Sequence, residues 1–202
     1  EIWRGYGPVR ALPRADADLD NLSVADAAGT SIPLMGFLDE TYTDGFLVLK
    51  NGGISYERYF NGMDHRTLHL SQSMSKSFVG MTAGILASRG LLDVNAPVTA
   101  YLPELEQTGW RGATLQQVLD MTSGVQFNED YTNPYSDVGQ MDVASGWKPI
   151  PPDTHSGFRW PHHVHEQILR LGELDRRHGD LFSYRSIETD VLAHCLERVS
   201  GK

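Results

Sequence analysis

One cysteine, Cys195, stands in 202 residues, which excludes an internal disulfide framework and every metal site built from paired thiolates. No stretch approaches the ~18 consecutive apolar residues of a membrane span, and the first residues lack the basic-then-apolar run of a signal segment. Positive charge is also scarce: 17 Lys and Arg against 26 Asp and Glu leave a formal charge of −9. No Lys/Arg stripe is present to neutralise a row of phosphates. Neither a membrane nor a nucleic acid is an expected partner. With no signal segment visible the cytoplasm is the expected compartment; because the chain opens on Glu1 rather than Met, the periplasm stands as the alternative.

What is present suits one sizeable core, with 40% hydrophobic residues. Residues 1–40 are rich in Pro, Asp and Ala and have little periodicity, which predicts an extended lead-in to a body over 41–202. Gly45–Lys50 and Ile54–Phe60, flanking Asn51-Gly52-Gly53, read as a hairpin whose turn tolerates positive φ. After Ser71 the apolar spacing of Phe78, Val79, Ala83, Ile85 and Leu86 becomes helical, ending at Gly90. Gly80 and Gly84 inside that helix are expected to let another backbone pack closely. Thr114–Met121 reads as a short helix with Thr114 as N-cap, and Ile187–Val199 as a closing helix stopped at Gly201. Cys195 falls in its apolar pattern, as a buried structural thiol. Between these, residues 125–163 are irregular yet carry Tyr131, Tyr135, Trp147 and Trp160, which suggests the wall of a binding site.

Ser73-Met74-Ser75-Lys76 opens the most apolar helix. Residues three apart on a helix lie on one face with a rise of ~4.5 Å, so Lys76 Nζ can reach Ser73 Oγ. A serine hydroxyl is a weak nucleophile unless a nearby base takes its proton as it attacks. A lysine does this only if burial or positive surroundings favour its neutral form, or if it supports a second base. Free N–H groups at the helix start could also donate to a developing oxyanion. By itself the tetrapeptide is common. It gains weight from its place after a strand pair and from Phe182-Ser183-Tyr184-Arg185-Ser186, which delivers a tyrosine from a separate loop just before another helix.

The order of strand pair, Ser73-x-x-Lys76, Gly90–Pro97, Tyr101–Leu105, Asp120-Met-Thr-Ser-Gly124 and Tyr184-x-Ser186 resembles the serine β-lactamase and penicillin-binding-protein superfamily. Within it, Thr43–Val48, Ser75-Lys76-Ser77, Leu119–Val125 and Asp130-Tyr131 look most like the class C-like esterases and amidases of the 6-aminohexanoate-dimer hydrolase group. The resemblance runs over residues 40–202. It implies an α/β (α+β) fold, an antiparallel sheet flanked by helices plus a helical region, and hydrolysis of an ester or small amide without a cofactor. It further implies that Ser73 is acylated, that Lys76 is its proton partner, and that Tyr184 is the shared acid and base. Tyr131 would then project over the acyl site to contact the substrate, and Ser186 would stand where lactamases usually carry asparagine. A shorter donor there points to simple esters or amides rather than β-lactams. Asp142 and Trp147 are further substrate-binding candidates, Asp142 for a cationic substrate end.

The histidines of Pro161-His162-His163-Val164-His165 complete no known zinc spacing, so no metal is expected. His69 and His178 lack the Gly-x-Ser-x-Gly elbow of a Ser-His-Asp hydrolase. The family's third motif and remaining sheet strands would follow Lys202, so residues 41–202 are expected to be the N-terminal and helical part of an incomplete domain, with a second polypeptide as one source of the rest. A non-catalytic ligand-binding relative and a cell-wall D-peptidase are the competing readings.

Overall fold

The computed structural model describes residues 6–201; the first five residues of the lead-in and Lys202 lie outside them. The chain divides after Leu70 into two units.

In the first unit the lead-in carries structure of its own. β1 (Ser23–Ala25) pairs antiparallel with β2 (Ser31–Pro33). Their connection is closed by Asp26, whose carboxylate accepts the N–H groups of Ala28 and Thr30, both at 2.8 Å. This hairpin was not legible as strands because each is three residues long. α1 (Leu34–Glu40) follows, burying Leu34 and Leu38. β3 (Gly45–Lys50) and β4 (Gly53–Tyr59) form the expected hairpin. Its turn residues Asn51 and Gly52 both have positive φ, 51° and 77°, the paired left-handed geometry that suits the right-handed twist of strands. The lead-in runs beside β4, with Ala15 N–H on Ile54 O and Ala17 N–H on Ser55 O, both at 2.8 Å.

The second unit holds a single hydrophobic core. α2 (Lys76–Ser88), α3 (Leu115–Leu119) and α5 (Val164–Arg170) each contact α6 (Ile187–Ser200), and α4 (Asp137–Ala144) packs on α5. α6 buries Ile187, Val191, Leu192, Cys195 and Leu196 at helical spacing. Trp110 is fully buried, and its indole N–H donates to Ile168 O at 3.2 Å. Burial pushes the Cys195 thiol up to about 12, as an inert structural thiol requires. Thr114 caps α3 through a capping box with Gln117, and Gly201 ends α6 in the left-handed conformation.

Two expectations change here. The stretch 125–163 contains a helix, α4, capped by Ser136 Oγ accepting Gly139 N–H at 3.1 Å; weak amphipathy hid it. Among the described residues nothing lies within 4 Å of where a side chain would start at Gly80 or Gly84, so neither glycine has the close backbone neighbour expected of it. Beside them Phe78, Met81 and Ile85 are 44%, 64% and 48% exposed.

Candidate active site

Three segments of the second unit converge on Ser73. The first is the turn that carries it. Gln72–Ser75 is a 3₁₀ turn leading into α2, so Ser73 precedes the α-helix instead of opening it. Gln72 has a φ of 47°, left-handed backbone that a non-glycine residue adopts at a cost. Ser75 Oγ donates to Gln72 O at 2.7 Å and Met74 N–H to Ser71 O at 3.0 Å. One N–H expected to be free at the helix start is therefore occupied. Ser73 itself is exposed.

The second segment delivers Tyr184 and Ser186. It is tied to residues 121–126 by Ser183 N–H on Met121 O (3.0 Å), Gly179 N–H on Thr122 O (2.8 Å) and Asp175 N–H on Gly124 O (2.9 Å). Gly124 has a φ of 71°, and a side chain there would run into the Arg176 carbonyl. Between the two site residues Arg185 turns inward, 1% exposed, donating to Ser183 O at 3.0 Å and lying 3.5 Å from the Glu188 carboxylate. Glu188 is equally buried and accepts Ser123 Oγ at 2.8 Å. Burial pushes its carboxyl up to about 7, against the opposing pull of the Ser123 hydrogen bond and the Arg185 charge. The inward Arg185 leaves Tyr184 directed at Ser73: its hydroxyl donates to Ser73 Oγ at 2.7 Å.

The third segment supplies Glu129 and Tyr131. One Glu129 oxygen accepts Ser186 Oγ at 2.5 Å and Tyr131 O–H at 2.5 Å, and the other accepts Ser186 N–H at 3.0 Å. Burial, reinforced by Glu129, holds the Tyr131 phenol above its usual range, so near neutral pH it stays a donor. Lys76 Nζ donates to Ser186 O at 3.2 Å and lies 6.0 Å from the Tyr184 ring centroid. The expected Lys76–Ser73 hydrogen bond is not among those of the described residues; Lys76 Nζ is directed at the Ser186 carbonyl instead.

Ser73, Lys76, Tyr131, Tyr184 and Ser186 thus form one group. Asp142 and Trp147 lie apart from its hydrogen bonds: Asp142 pairs with Lys148 Nζ at 2.7 Å, and Trp147 is mostly exposed. Two members were not anticipated. Glu129 stands two residues before Tyr131 in an acid-rich sequence that gives no cue to single it out. Asp190, one turn into α6 from Ser186, has its carboxyl raised by burial, with the Lys76 charge opposing. The histidines go elsewhere: His163 Nδ1 accepts Glu166 N–H at 3.1 Å to cap α5, His165 packs on His194 at 4.9 Å, and His178 bridges the carbonyls of Ser123 and Arg111. In the first unit His69 Nε2 meets Asp44 at 3.0 Å. No helix among the described residues is long and apolar enough to cross a membrane.

Residues 38–202 match the Beta-lactamase family. The chain belongs to that family. It is 38% identical over 201 residues to the 6-aminohexanoate-dimer hydrolase of Paenarthrobacter ureafaciens, covering 96% of this chain and 48% of the relative. A Bacillus anthracis protein assigned as a 6-aminohexanoate-dimer hydrolase superposes with a TM-score of 0.81 at 31% identity, over 96% of this chain and 50% of that one. A class C β-lactamase shares the fold with a TM-score of 0.57 at 18% identity, over 83% of this chain and 42% of its own. The chain therefore has the β-lactamase-like fold of this hydrolase group and spans about half the length of these relatives.

Proposed function

We propose that this β-lactamase family member contributes the nucleophile half of a serine hydrolase that cleaves small amides or carboxylic esters through an acyl-enzyme on Ser73. The single observation that carries this is the 2.7 Å contact between Tyr184 Oη and Ser73 Oγ, made by residues 111 positions apart. A hydroxyl pair at that distance can pass one proton either way along the same bond.

For acylation Tyr184 first releases its hydroxyl proton to solvent, and the Ser73 proton then moves to the Tyr184 oxygen as Oγ forms its bond to the substrate carbonyl carbon. Tyr184 then returns that proton to the departing amine or alcohol. In deacylation a water molecule loses a proton to Tyr184 as it attacks the acyl carbon, and Ser73 leaves with a proton from the same tyrosine. Lys76, 6.0 Å from the ring, stabilises the phenolate each time it forms. Glu129 positions Ser186 and Tyr131, leaving Tyr131 at the rim where a substrate amide or ester would lie. The amide-hydrolase name of the Paenarthrobacter ureafaciens relative at 38% identity supports an amide substrate.

The apolar groove of about 460 Å³ between α2 and α6, walled by Phe78, Val79, Leu86 and Leu196, supports a further part of this proposal. Residues 41–202 form the N-terminal and helical part of the hydrolase domain. Its remaining strands, supplied in the same chain or by a second polypeptide, cover that groove and the open face at Gly80 and Gly84. On this reading Gly80 and Gly84 keep their expected close partner, which lies outside residues 6–201.

The test is stopped-flow hydrolysis of p-nitrophenyl acetate with the complete protein. A burst of p-nitrophenol equal to the protein concentration, lost in Ser73→Ala, is the expected result. Unchanged kinetics in Ser73→Ala would falsify the acyl-enzyme, and no turnover of any ester or amide would give the lead to the ligand-binding relative.

A further inference from the structure

A cavity of about 630 Å³ opens between the end of α4, the connection that follows it and α5, and none of its lining residues belongs to the Ser73 group. Its volume lies in the range of small-molecule sites. Three cations line it, Lys148, Arg159 and Arg170, against one carboxylate, Glu166. Glu166 is already engaged, paired with Arg170 and accepting His162 N–H at 2.9 Å. Lys148 is held by Asp142 at 2.7 Å. Arg159 alone among the three enters no ion pair among the described residues, and its carbonyl, bonded by Arg170 Nη1 at 2.8 Å, fixes its backbone to α5. An uncompensated guanidinium at a cavity is unexpected on a chain of charge −9.

The rest of the wall is His162 and four apolar side chains, Val143, Ile150, Trp160 and Pro161. Trp160 is fixed by Phe158 at 4.8 Å, by Tyr135 at 5.5 Å, and by its indole N–H on Thr154 Oγ1 at 3.2 Å. A planar fork beside a rigid hydrocarbon wall matches a ligand with a carboxylate at one end and an apolar body behind it.

We propose that this cavity binds small organic monocarboxylates, with Arg159 taking the carboxylate and Ile150 and Trp160 packing on the body. It is a binding site separate from the Ser73 chemistry. The test follows the Trp160 indole ¹H–¹⁵N resonance, assigned by Trp160→Phe, during titration with hexanoate, inorganic phosphate or hexylamine. Hexanoate should shift it saturably, and the other two should not. Loss of a charge-assisted hydrogen-bonding partner should weaken hexanoate at least about tenfold in Arg159→Ala, with Arg159→Lys in between. Ile150→Glu, at a mostly exposed wall position, should weaken it at least as much by placing like charge beside the ligand. No saturable hexanoate shift, or equal affinity in Arg159→Ala, overturns the proposal. Phosphate binding as well as hexanoate would make this a bare anion site, and hexylamine binding as well would make it an apolar pocket; both results contradict it.

Discussion

α2 and α6 pack against each other in the same unit, yet they are furnished in opposite ways. α6 buries five apolar side chains and Glu188, and the loop before it is held by the Arg185–Glu188–Ser123 network. α2, with Ser73 and Lys76 at its start, buries only Ala83 and exposes Phe78, Met81 and Ile85. The Tyr184 side of the group is therefore anchored by this chain's own core. The Ser73 side is anchored on one face only, and the opposite apolar face, with Phe78, Met81 and Ile85, is exposed.

The sharpest way to separate the helices' two roles is chemical. Ser73→Ala should remove ester or amide turnover entirely without moving the thermal midpoint, since Ser73 is exposed. Tyr184→Phe should lower the rate by about 10²–10⁴-fold, the usual worth of a positioned acid–base group, read as kcat/KM. Stability should show the opposite asymmetry. Val191→Ala in the buried face of α6 should cost about 1–3 kcal/mol by denaturant titration. Met81→Ala on the open face of α2 should cost less than about 0.5 kcal/mol while that face is uncovered. A larger loss at Met81 would show that the face is covered in solution.

A smaller effect comes from Glu188. Its folded-state carboxyl, near 7, lies above the usual value of 4.5, so the folded chain holds the proton more tightly. The stabilisation is complete below about pH 4.5 and is lost as pH rises through 7. Glu188→Gln should flatten this fall, on the order of 2 kcal/mol at most, between pH 5 and 7.5. A wild-type midpoint that rises across that window would contradict the assignment. Smallest of all, Glu129→Gln should lower turnover by about tenfold, since a neutral amide replaces one of two acceptor oxygens with a donor. Unchanged kcat with raised KM would place Glu129 in substrate binding instead.

Much of this was legible in the sequence for identifiable reasons. The β3–β4 hairpin announces itself through Asn51-Gly52, α6 through its apolar stride, and α3 through Thr114 and Gln117. Serine and lysine three apart, with a tyrosine before a later helix, singled out residues that the structure brings together. Contacts between distant segments left no such mark. Nothing local tells that Lys76 reaches the Ser186 carbonyl, that Glu129 binds Ser186 and Tyr131 together, or that Arg185 turns inward to join Glu188. The 3₁₀ turn at Gln72–Ser75 was hidden as well: nothing in a Gln-Ser-Met-Ser run marks the left-handed φ at Gln72.

Whether Ser73 and Tyr184 work as a pair is decided by intact-mass spectrometry after brief exposure to a fluorophosphonate, comparing wild type with Ser73→Ala and Tyr184→Phe. One adduct on Ser73 is expected in the wild type, none in Ser73→Ala and much slower labelling in Tyr184→Phe. An adduct that persists in Ser73→Ala, or forms at the wild-type rate in Tyr184→Phe, would contradict the claim that these two hydroxyls work as a nucleophile and its proton partner.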